Sequence, residues 1–391
     1  MSTTIEISSS KSLVNRYLIL KEGHTALNQK WSSKADDVQK LKSALDQAPE
    51  AQEYNLGEGG TTLRFFATYL STFKGEWILN CKESLLKRPQ EELISTLKSL
   101  GVELKQINST SLRLKSNGWK TDNISINMKD STQILTGLTL AALSKGLALT
   151  VNLNEIGVNS DYFEMTKVFV EGLGFDMTHL NSKITIPGNQ KILFEKKNEI
   201  EPDWSSIAFL IVLGALKTKI CIKGLDKRSI QPDSIILPFL KKLGVQVQAS
   251  NCISPGKLPY DAFKLNVQKS PDLFPVLSTL ACFCEGSSKI YGAPQLKNKE
   301  SNRISKMSKL LSACGYKIET LEGGLIVEGQ GLSVLKSSLI EFDVSKDHRL
   351  YMATEILNSM GYNIQVHGAD SILKSFAEYE KIKKDSLSCF F

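Results

Sequence analysis

Two α/β domains are what this 391-residue sequence predicts, on three observations. A helix-ending phrase recurs as Leu97-Lys98-Ser99-Leu100-Gly101, Val170-Glu171-Gly172-Leu173-Gly174, Leu240-Lys241-Lys242-Leu243-Gly244 and Leu310-Leu311-Ser312-Ala313-Cys314-Gly315, with a weaker copy at Leu357-Asn358-Ser359-Met360-Gly361. The first four glycines are spaced by 73, 70 and 71 residues, a period that marks an internal structural repeat. The second observation is an interleaved series of short polar clusters, each opening an apolar segment. The third is length: a single core stops growing at roughly 250–300 residues, so six strand–helix units divide into two domains of three.

Along the chain the polar clusters begin near Lys11 (KSLVNRYLIL), Gly59 (GGTTLRFFATYL), Ser131 (STQILTGLTLAAL), Asp203 (DWSSIAFLIVLGAL), Asp272 (DLFPVLSTLACF) and Lys346 (KDHRLYMATEIL). Their intervals are 48, 72, 72, 69 and 74 residues, so the first unit is shortened. Apolar residues lie on nearly all faces of these segments, which predicts buried helices, not amphipathic surface ones. Each recurring glycine is placed as a helix C-cap, and the apolar stretch after it, such as Val245-Gln246-Val247, predicts a strand. Leu147 to Leu153 and Lys219 to Lys223 read as further strands that cover the helices. With no Pro/Gly/Ser linker to mark the division, the repeat places it near residue 200.

Composition narrows the function classes. Lys and Arg number 48 against 41 Asp and Glu, a net charge of +7 that is mild for this length and comes without a basic block, which argues against nucleic acid. The longest apolar run, Ile207 to Leu216, has ten residues where a membrane span needs about 18. No basic region followed by a hydrophobic stretch opens the chain, which reads as cytoplasmic. Seven cysteines (81, 221, 252, 282, 284, 314, 389), odd in number and mostly inside apolar segments, predict reduced buried thiols. Four scattered histidines (24, 179, 348, 367) and Cys282-x-Cys284 in an apolar segment make no metal set, so neither metal nor cofactor is expected.

The helix starts carry the chemistry. A buried helix presents unsatisfied N–H groups and a positive dipole end at its N-terminus, where Ser, Thr and Asp serve as ordinary caps. Cations there oppose the dipole, yet Lys11, Arg349 and, one turn in, Arg16 and Arg64 stand at these starts. Such an arrangement costs local stability and points to bound anions. Of only seven arginines (16, 64, 88, 113, 228, 303, 349), five lie in or beside the caps and glycine turns, and Arg grips carboxylate and phosphate with two prongs. Gly57-Glu58-Gly59-Gly60-Thr61-Thr62 lacks the lysine of a P-loop and no Gly-x-Gly-x-x-Gly is present, so the anions are not held in a standard nucleotide cradle.

These motifs, taken together and in order, resemble those of the EPSP (5-enolpyruvylshikimate-3-phosphate) synthase family over nearly the whole chain. Lys11-Ser12-Leu13-Val14-Asn15-Arg16 looks like the family's Lys-Ser-x-x-Asn-Arg, and Gly60-Thr61-Thr62-Leu63-Arg64 is similar to its Gly-Thr-x-x-Arg. Leu86-Lys87-Arg88-Pro89, Ser131-Thr132-Gln133, Pro271-Asp272, Lys299-Glu300-Ser301-Asn302-Arg303, Asp347-His348-Arg349 and Lys374-Ser375-Phe376 follow in family order. The resemblance implies a two-domain inside-out α/β barrel, each domain three βαβαββ-type repeats around buried parallel helices whose N-termini point at an interdomain cleft. It implies domains of 11–200, on the shikimate 3-phosphate side, and 201–391 with the first strand, 1–10. It further implies a monomer that transfers the enolpyruvyl group of phosphoenolpyruvate to the 5-hydroxyl of shikimate 3-phosphate.

By the same resemblance, Ser12 and Arg16 hold the shikimate carboxylate, and Ser131, Thr132 and Lys299 its phosphate or ring hydroxyls, with Gln295 and Lys11 also on this substrate. Phosphoenolpyruvate falls to Lys11, Gly60, Arg88, Arg303, Arg349 and Lys374, with Gln133 lining both subsites. Asp272 is implied as the base for the 5-hydroxyl, and Glu300, Lys299 and Lys11 as the groups for proton transfer. Against these stand plainer readings: Asp272 as an N-cap, Lys299, Glu300 and Arg303 as a solvated charge set at helical spacing, His348 as a structural histidine. Three positions depart from the family pattern, with Ser9 for Gly, Glu58 for Asn, and Asn159, beside Ser160, for a phosphate-binding Ser. Two rivals are a UDP-N-acetylglucosamine enolpyruvyl transferase and a non-catalytic anion-binding relative. The first usually carries a reactive cysteine five residues before the arginine equivalent to Arg88, whereas Cys81 lies seven before.

Overall fold

In the computed structural model, residues 4–128, 131–156, 161–192, 199–226, 228–332 and 338–382 are described. The chain divides into an N-terminal unit, Ser9–Ile200, and a C-terminal unit, Met1–Ser8 with Glu201–Phe391.

One strand order is used four times. In the N-terminal unit, Glu53–Gly57 pairs in parallel with Lys74–Cys81, which pairs antiparallel with Ser111–Asn117, with Glu103–Gln106 at the far edge. Asn123–Met128, Leu149–Ile156, Lys183–Ile186 and Thr178–Leu180 repeat that order. In the C-terminal unit the order recurs as Thr4–Ile5, Ile220–Ile222, Cys252–Ser254 and Gln246–Val247. It recurs again with Tyr260–Asp261 and Lys264–Asn266 beside Cys284–Tyr291, then Gly324–Gln330 and Lys317–Leu321. A last parallel pair, Ile340–Asp343 with Ile364–His367, completes the unit. Parallel neighbours need a crossover; an apolar helix lies in each of them, and the connection from Thr4–Ile5 to Ile220–Ile222 also carries the whole N-terminal unit.

Six such helices are buried: Lys11–Gly23, Gly60–Leu70 and Gln133–Lys145 in one unit, Trp204–Leu216, Phe274–Cys282 and His348–Ser359 in the other. Within each unit the three pack against one another. Every residue from Ile134 to Ser144, and all nine of Phe274–Cys282, is buried, as their all-round apolarity predicts. Hydroxyls inside them bond back one turn, Ser278 Oγ to Phe274 O at 2.8 Å and Thr279 Oγ1 to Pro275 O at 3.0 Å. Gly137 lets two helices approach, since a Cβ there would lie 2.5 Å from Thr68 Oγ1 and 3.1 Å from Arg64 O.

The recurring glycine phrase is a helix stop repeated five times. Gly101, Gly174, Gly244, Gly315 and Gly361 have φ of 80°, 97°, 95°, 100° and 102°, left-handed values that a Cβ disfavours. Each following residue donates its N–H to the carbonyl five positions back, as Val102 to Leu97 at 3.0 Å and Tyr316 to Leu311 at 3.1 Å. That is the Schellman arrangement, and its apolar clasp explains why the phrase reads leucine or valine, then glycine, then an apolar residue.

One expectation is corrected. Cys221 and Cys252 are not reduced thiols but a disulfide. They are direct cross-strand partners in the antiparallel pair, a juxtaposition that a sequence separation of 31 conceals. Cys81, Cys282, Cys284 and Cys314 are buried thiols outside any disulfide, and Cys389 lies outside the described residues. No described helix is long and apolar enough to cross a membrane.

Candidate active site

In the N-terminal unit the first subsite forms where two helices begin. Lys11 is the first residue of its helix, and its ammonium lies 3.1 Å from Asp37 Oδ2. Asp37, in the first turn of the helix Asp36–Leu45, is buried, and its Oδ1 has no hydrogen-bond partner among the described residues. A Cβ on Gly59 would sit 2.5 Å from that oxygen, and one on Gly60 would sit 2.5 Å from Arg64 Nη1, 3.6 Å from Gln133 Oε1 and 3.7 Å from Arg88 Nη1. Glycine at 60 thus leaves open the space on which two guanidiniums and an amide converge. Arg64 Nη1 donates to Gln133 Oε1 at 3.0 Å, and Gln133 Nε2 donates to Thr61 Oγ1 at 3.0 Å. Burial, then the neighbouring Arg88 charge, pulls the Arg64 pKa down to about 10. The Glu92 carboxylate pulls the other way without restoring the ordinary value, and two cations held this close form an anion site in waiting.

Arg16 forms a second subsite. It is buried, with its guanidinium carbon 5.7 Å from the centre of the Phe65 ring, and burial pulls its pKa down to about 9, so it stays charged at neutral pH. Its partners are all neutral: Thr166 Oγ1 at 2.9 Å, Ser12 O at 2.7 Å and Tyr162 O at 3.1 Å. At the start of the Gln133 helix, Ser131 Oγ accepts from Gln133 N at 3.2 Å and Thr132 O accepts from Thr136 N at 2.9 Å.

The C-terminal unit gathers acids around its cations. Arg303 opens the helix Arg303–Ala313 with its side chain 2% exposed. Its Nη1 lies 2.8 Å from Asp272 Oδ1, its Nη2 2.9 Å from Glu300 Oε2, and its Nε 2.8 Å from Asp347 Oδ2. Arg349 Nη2 holds the other Asp272 oxygen at 2.9 Å, while Arg349 also donates to Ser205 O and Oγ at 3.0 and 2.9 Å. Burial alone would raise the Asp272 pKa, but Arg349, Arg303 and Lys299 outweigh it and hold the carboxyl well below its usual range. Burial likewise lowers Lys299, with Asp272 pulling the other way. For Arg303, burial is outweighed by the three carboxylates, which raise its pKa.

These contacts decide two of the plainer readings. Asp272 sits in the 3-10 turn Pro271–Leu273 and is the N-cap of neither that turn nor the helix after it; both its oxygens are bound by arginines. Glu300 and Arg303 are three apart as a helical pair would be, yet the guanidinium is buried and Glu300 precedes the helix. True caps occur elsewhere: Asp203 Oδ1 accepts from Ser206 N at 3.0 Å, and Asp347 Oδ1 from Arg349 N at 3.0 Å.

The sequence candidates are therefore met as follows. Lys11, Gly60 and Gln133 are first residues of their helices and Arg88 reaches the space beside Gly60; Ser12 and Arg16 share a bond; Ser131 and Thr132 open the Gln133 helix. Asp272, Lys299, Glu300, Arg303 and Arg349 are one electrostatic group. Gln295, in the turn Pro294–Asn298, is buried with neither end of its amide paired among the described residues, and His348 is buried at the start of its helix. Asn159 and Ser160 lie outside the described residues; Lys374 ends the turn Ala369–Lys374, and its side chain is not described. Four participants were given no subsite from the sequence: Asp37, Arg64, Thr166 and Asp347. Asp37 reads as an acid in a helix first turn and Thr166 as a mid-helix threonine, so neither carries a signal, whereas Arg64 and Asp347 stand inside the motifs and were legible there.

Comparison with known proteins agrees. The family model described as EPSP synthase (3-phosphoshikimate 1-carboxyvinyltransferase) matches residues 24–382. A 3-phosphoshikimate 1-carboxyvinyltransferase of Dehalococcoides mccartyi is 29% identical over 82% of this chain and 76% of its own length. One from Methanosphaera stadtmanae is 30% identical over 77% and 71%, and one from Shewanella baltica 27% over 96% and 95%. In fold, the chain is similar to an EPSP synthase from Acinetobacter baumannii, with a TM-score of 0.76 at 20% identity over 98% of this chain and 95% of that one. It is also similar to the enolpyruvyl transferase NikO from Streptomyces tendae, with a TM-score of 0.71 at 14% identity over 97% and 94%.

Proposed function

The chain belongs to the EPSP synthase family, and from that premise we propose how its side chains divide the work of an enolpyruvyl transfer. The protein is a 3-phosphoshikimate 1-carboxyvinyltransferase of aromatic amino-acid biosynthesis: it moves the enolpyruvyl group of phosphoenolpyruvate to the 5-hydroxyl of shikimate 3-phosphate and releases phosphate. The finer reading makes each unit an inside-out α/β barrel, with the protein acting as a monomer.

Arg16 and Ser12 take the shikimate carboxylate, and Ser131, Thr132, Lys299, Gln295 and Asn159 its phosphate and hydroxyls. Lys11, Gly60, Arg88, Gln133, Arg303, Arg349 and Lys374 take phosphoenolpyruvate, with Arg64 added to this set because it shares the space beside Gly60. Asp272 accepts the proton of the 5-hydroxyl as its oxygen adds to the central carbon of phosphoenolpyruvate. A proton from Lys11, Lys299 or Glu300 reaches the methylene carbon in the same addition. From the tetrahedral intermediate, phosphate leaves with the proton that Asp272 accepted, and a proton of the new methyl group returns to the group that supplied one, restoring the double bond. Catalysis of this kind rests on positioned acids and bases and on fixed charge that meets charge developing in the transition state.

The observation that carries the reading is Asp272 held between Arg303 and Arg349, with Glu300 on the same guanidinium. A protein that only bound anions would have no use for carboxylates there. Cys81 speaks against the sugar-nucleotide rival: it is buried, and burial pushes its thiol up to about 12, leaving no thiolate for attack or adduct formation at neutral pH. The test is phosphate release from phosphoenolpyruvate with shikimate 3-phosphate or UDP-N-acetylglucosamine as acceptor. Release only with the first acceptor sustains the reading; release only with the second assigns the rival, and release with neither assigns a non-catalytic relative.

A further inference from the structure

The Arg16 guanidinium is held in an unusual way for a buried cation. Three different nitrogens donate, Nε to Thr166 Oγ1, Nη1 to Ser12 O and Nη2 to Tyr162 O, at 2.9, 2.7 and 3.1 Å. A guanidinium has five N–H groups, so one on Nη1 and one on Nη2 are left without a partner among the described residues. These two are the pair that a planar carboxylate can accept with two prongs. Two of the three acceptors are main-chain carbonyls fixed by their helices. The third is a side chain, and it can be changed.

Thr166, in the helix Asp161–Leu173, is fully buried. Its hydroxyl donates to Tyr162 O, one turn back, at 3.0 Å, so its lone pairs are turned toward Arg16 Nε and toward Thr136 Oγ1 at 3.2 Å. With its one proton given to Tyr162, Thr166 must accept from Thr136. One donor and two acceptor positions are then all used, and the hydroxyl has a single orientation. Thr136, also fully buried, belongs to the helix Gln133–Lys145 that begins at the Ser131-Thr132-Gln133 cluster. Three helices thus meet at one oxygen.

We propose that Thr166, fixed by Thr136, is the positioning residue that aims the Arg16 guanidinium so that its two remaining N–H groups receive the carboxylate of the acceptor substrate. The inference rests on the reading that Arg16 binds that carboxylate. Without the Thr166 acceptor the Nε–H is buried and unsatisfied, and the guanidinium turns to find another oxygen, which spoils the two-pronged geometry.

Steady-state kinetics on Thr166→Val, Thr166→Ser and Arg16→Ala test it. Thr166→Val keeps the side-chain shape and removes the acceptor, and a hydrogen bond to a charged group is worth roughly ten- to a hundred-fold in affinity. The KM for shikimate 3-phosphate should rise by about that factor, with kcat and the KM for phosphoenolpyruvate within twofold of wild type, and Thr166→Ser should restore it. An unchanged KM, an equal rise for both substrates, or no rescue by serine overturns the proposal. If Thr166→Val does not fold, Thr136→Val serves: it should raise the same KM in the same direction by a smaller factor, and no rise overturns the proposal. Arg16→Ala separates the two failures, since an unchanged shikimate 3-phosphate KM there removes the carboxylate assignment itself, whereas a raised KM there with a silent Thr166→Val removes only the role of Thr166.

Discussion

The two units treat buried arginine in opposite ways. In the N-terminal unit, Arg16 is held by a hydroxyl and two carbonyls, and Arg64 by an amide beside Arg88. Their pKa values are pulled down, to about 9 and about 10, by burial and, for Arg64, by Arg88 as well, with Glu92 only partly opposing. In the C-terminal unit, Arg303 meets three carboxylates and its pKa goes up, while Asp272 is driven down by the same contacts. The difference is one of purpose. Cations that nearby acids fail to balance are sites that wait for an anion from solution, whereas cations saturated by acids set the protonation state of those acids. One unit stores positive potential and the other stores a poised carboxylate.

The sharpest way to break this comparison is Asp272→Asn. Loss of a general base costs about 10²- to 10⁴-fold in turnover, and phosphate release should fall within that range. Phosphoenolpyruvate should bind more tightly to the variant by calorimetry, because Asp272 no longer competes with it for Arg303 and Arg349. Unchanged turnover removes Asp272 as base; weaker binding removes the competition.

Next in size is a contrast in stability. Arg303→Ala leaves the buried Asp347 and the half-buried Glu300 without that guanidinium and Asp272 without one of its cations, and removing one partner of a buried ion pair costs about 3–5 kcal/mol. Arg16→Ala removes a buried cation that no acid neutralises, so urea unfolding should register a clearly smaller loss. Equal losses would erase the distinction between the two units.

The acid limb of stability follows from the sign of the Asp272 shift. Its pKa in the folded protein lies below the ordinary aspartate value of about 3.9, so its contribution is complete above that pH and disappears as pH falls through the folded value. Melting temperatures of wild type should drop on acidification below about pH 4, and Asp272→Asn should flatten part of that drop. An identical acid limb in the two proteins would show that the ion pairs contribute nothing to it. The smallest effect is expected at Cys81, where Cys81→Ala should cost about 1 kcal/mol in unfolding free energy and leave turnover unchanged. A lost turnover would give the thiol a chemical role.

Much of the fold was legible because it is repeated local chemistry. The five glycine stops are written as a leucine or valine, a glycine and an apolar residue, since backbone handedness and one apolar clasp suffice to end a helix. The six buried helices are written as segments with no polar face. Site residues inside motifs, such as Arg303 and Gln133, were readable as members of a set. Their neighbours were not: Asp37 joins Lys11 across 26 residues, Thr166 joins Arg16 across 150, and Cys221 meets Cys252 only because two strands run antiparallel in that register.

What the sequence determined by itself was therefore periodic and local, the alternation of strand and buried helix, the stops between them and the residue types at each helix start. The tertiary structure alone decided which charge meets which. Electrostatic partnership depends on distance and on exclusion of water, and both arise only when segments far apart in the chain are packed side by side.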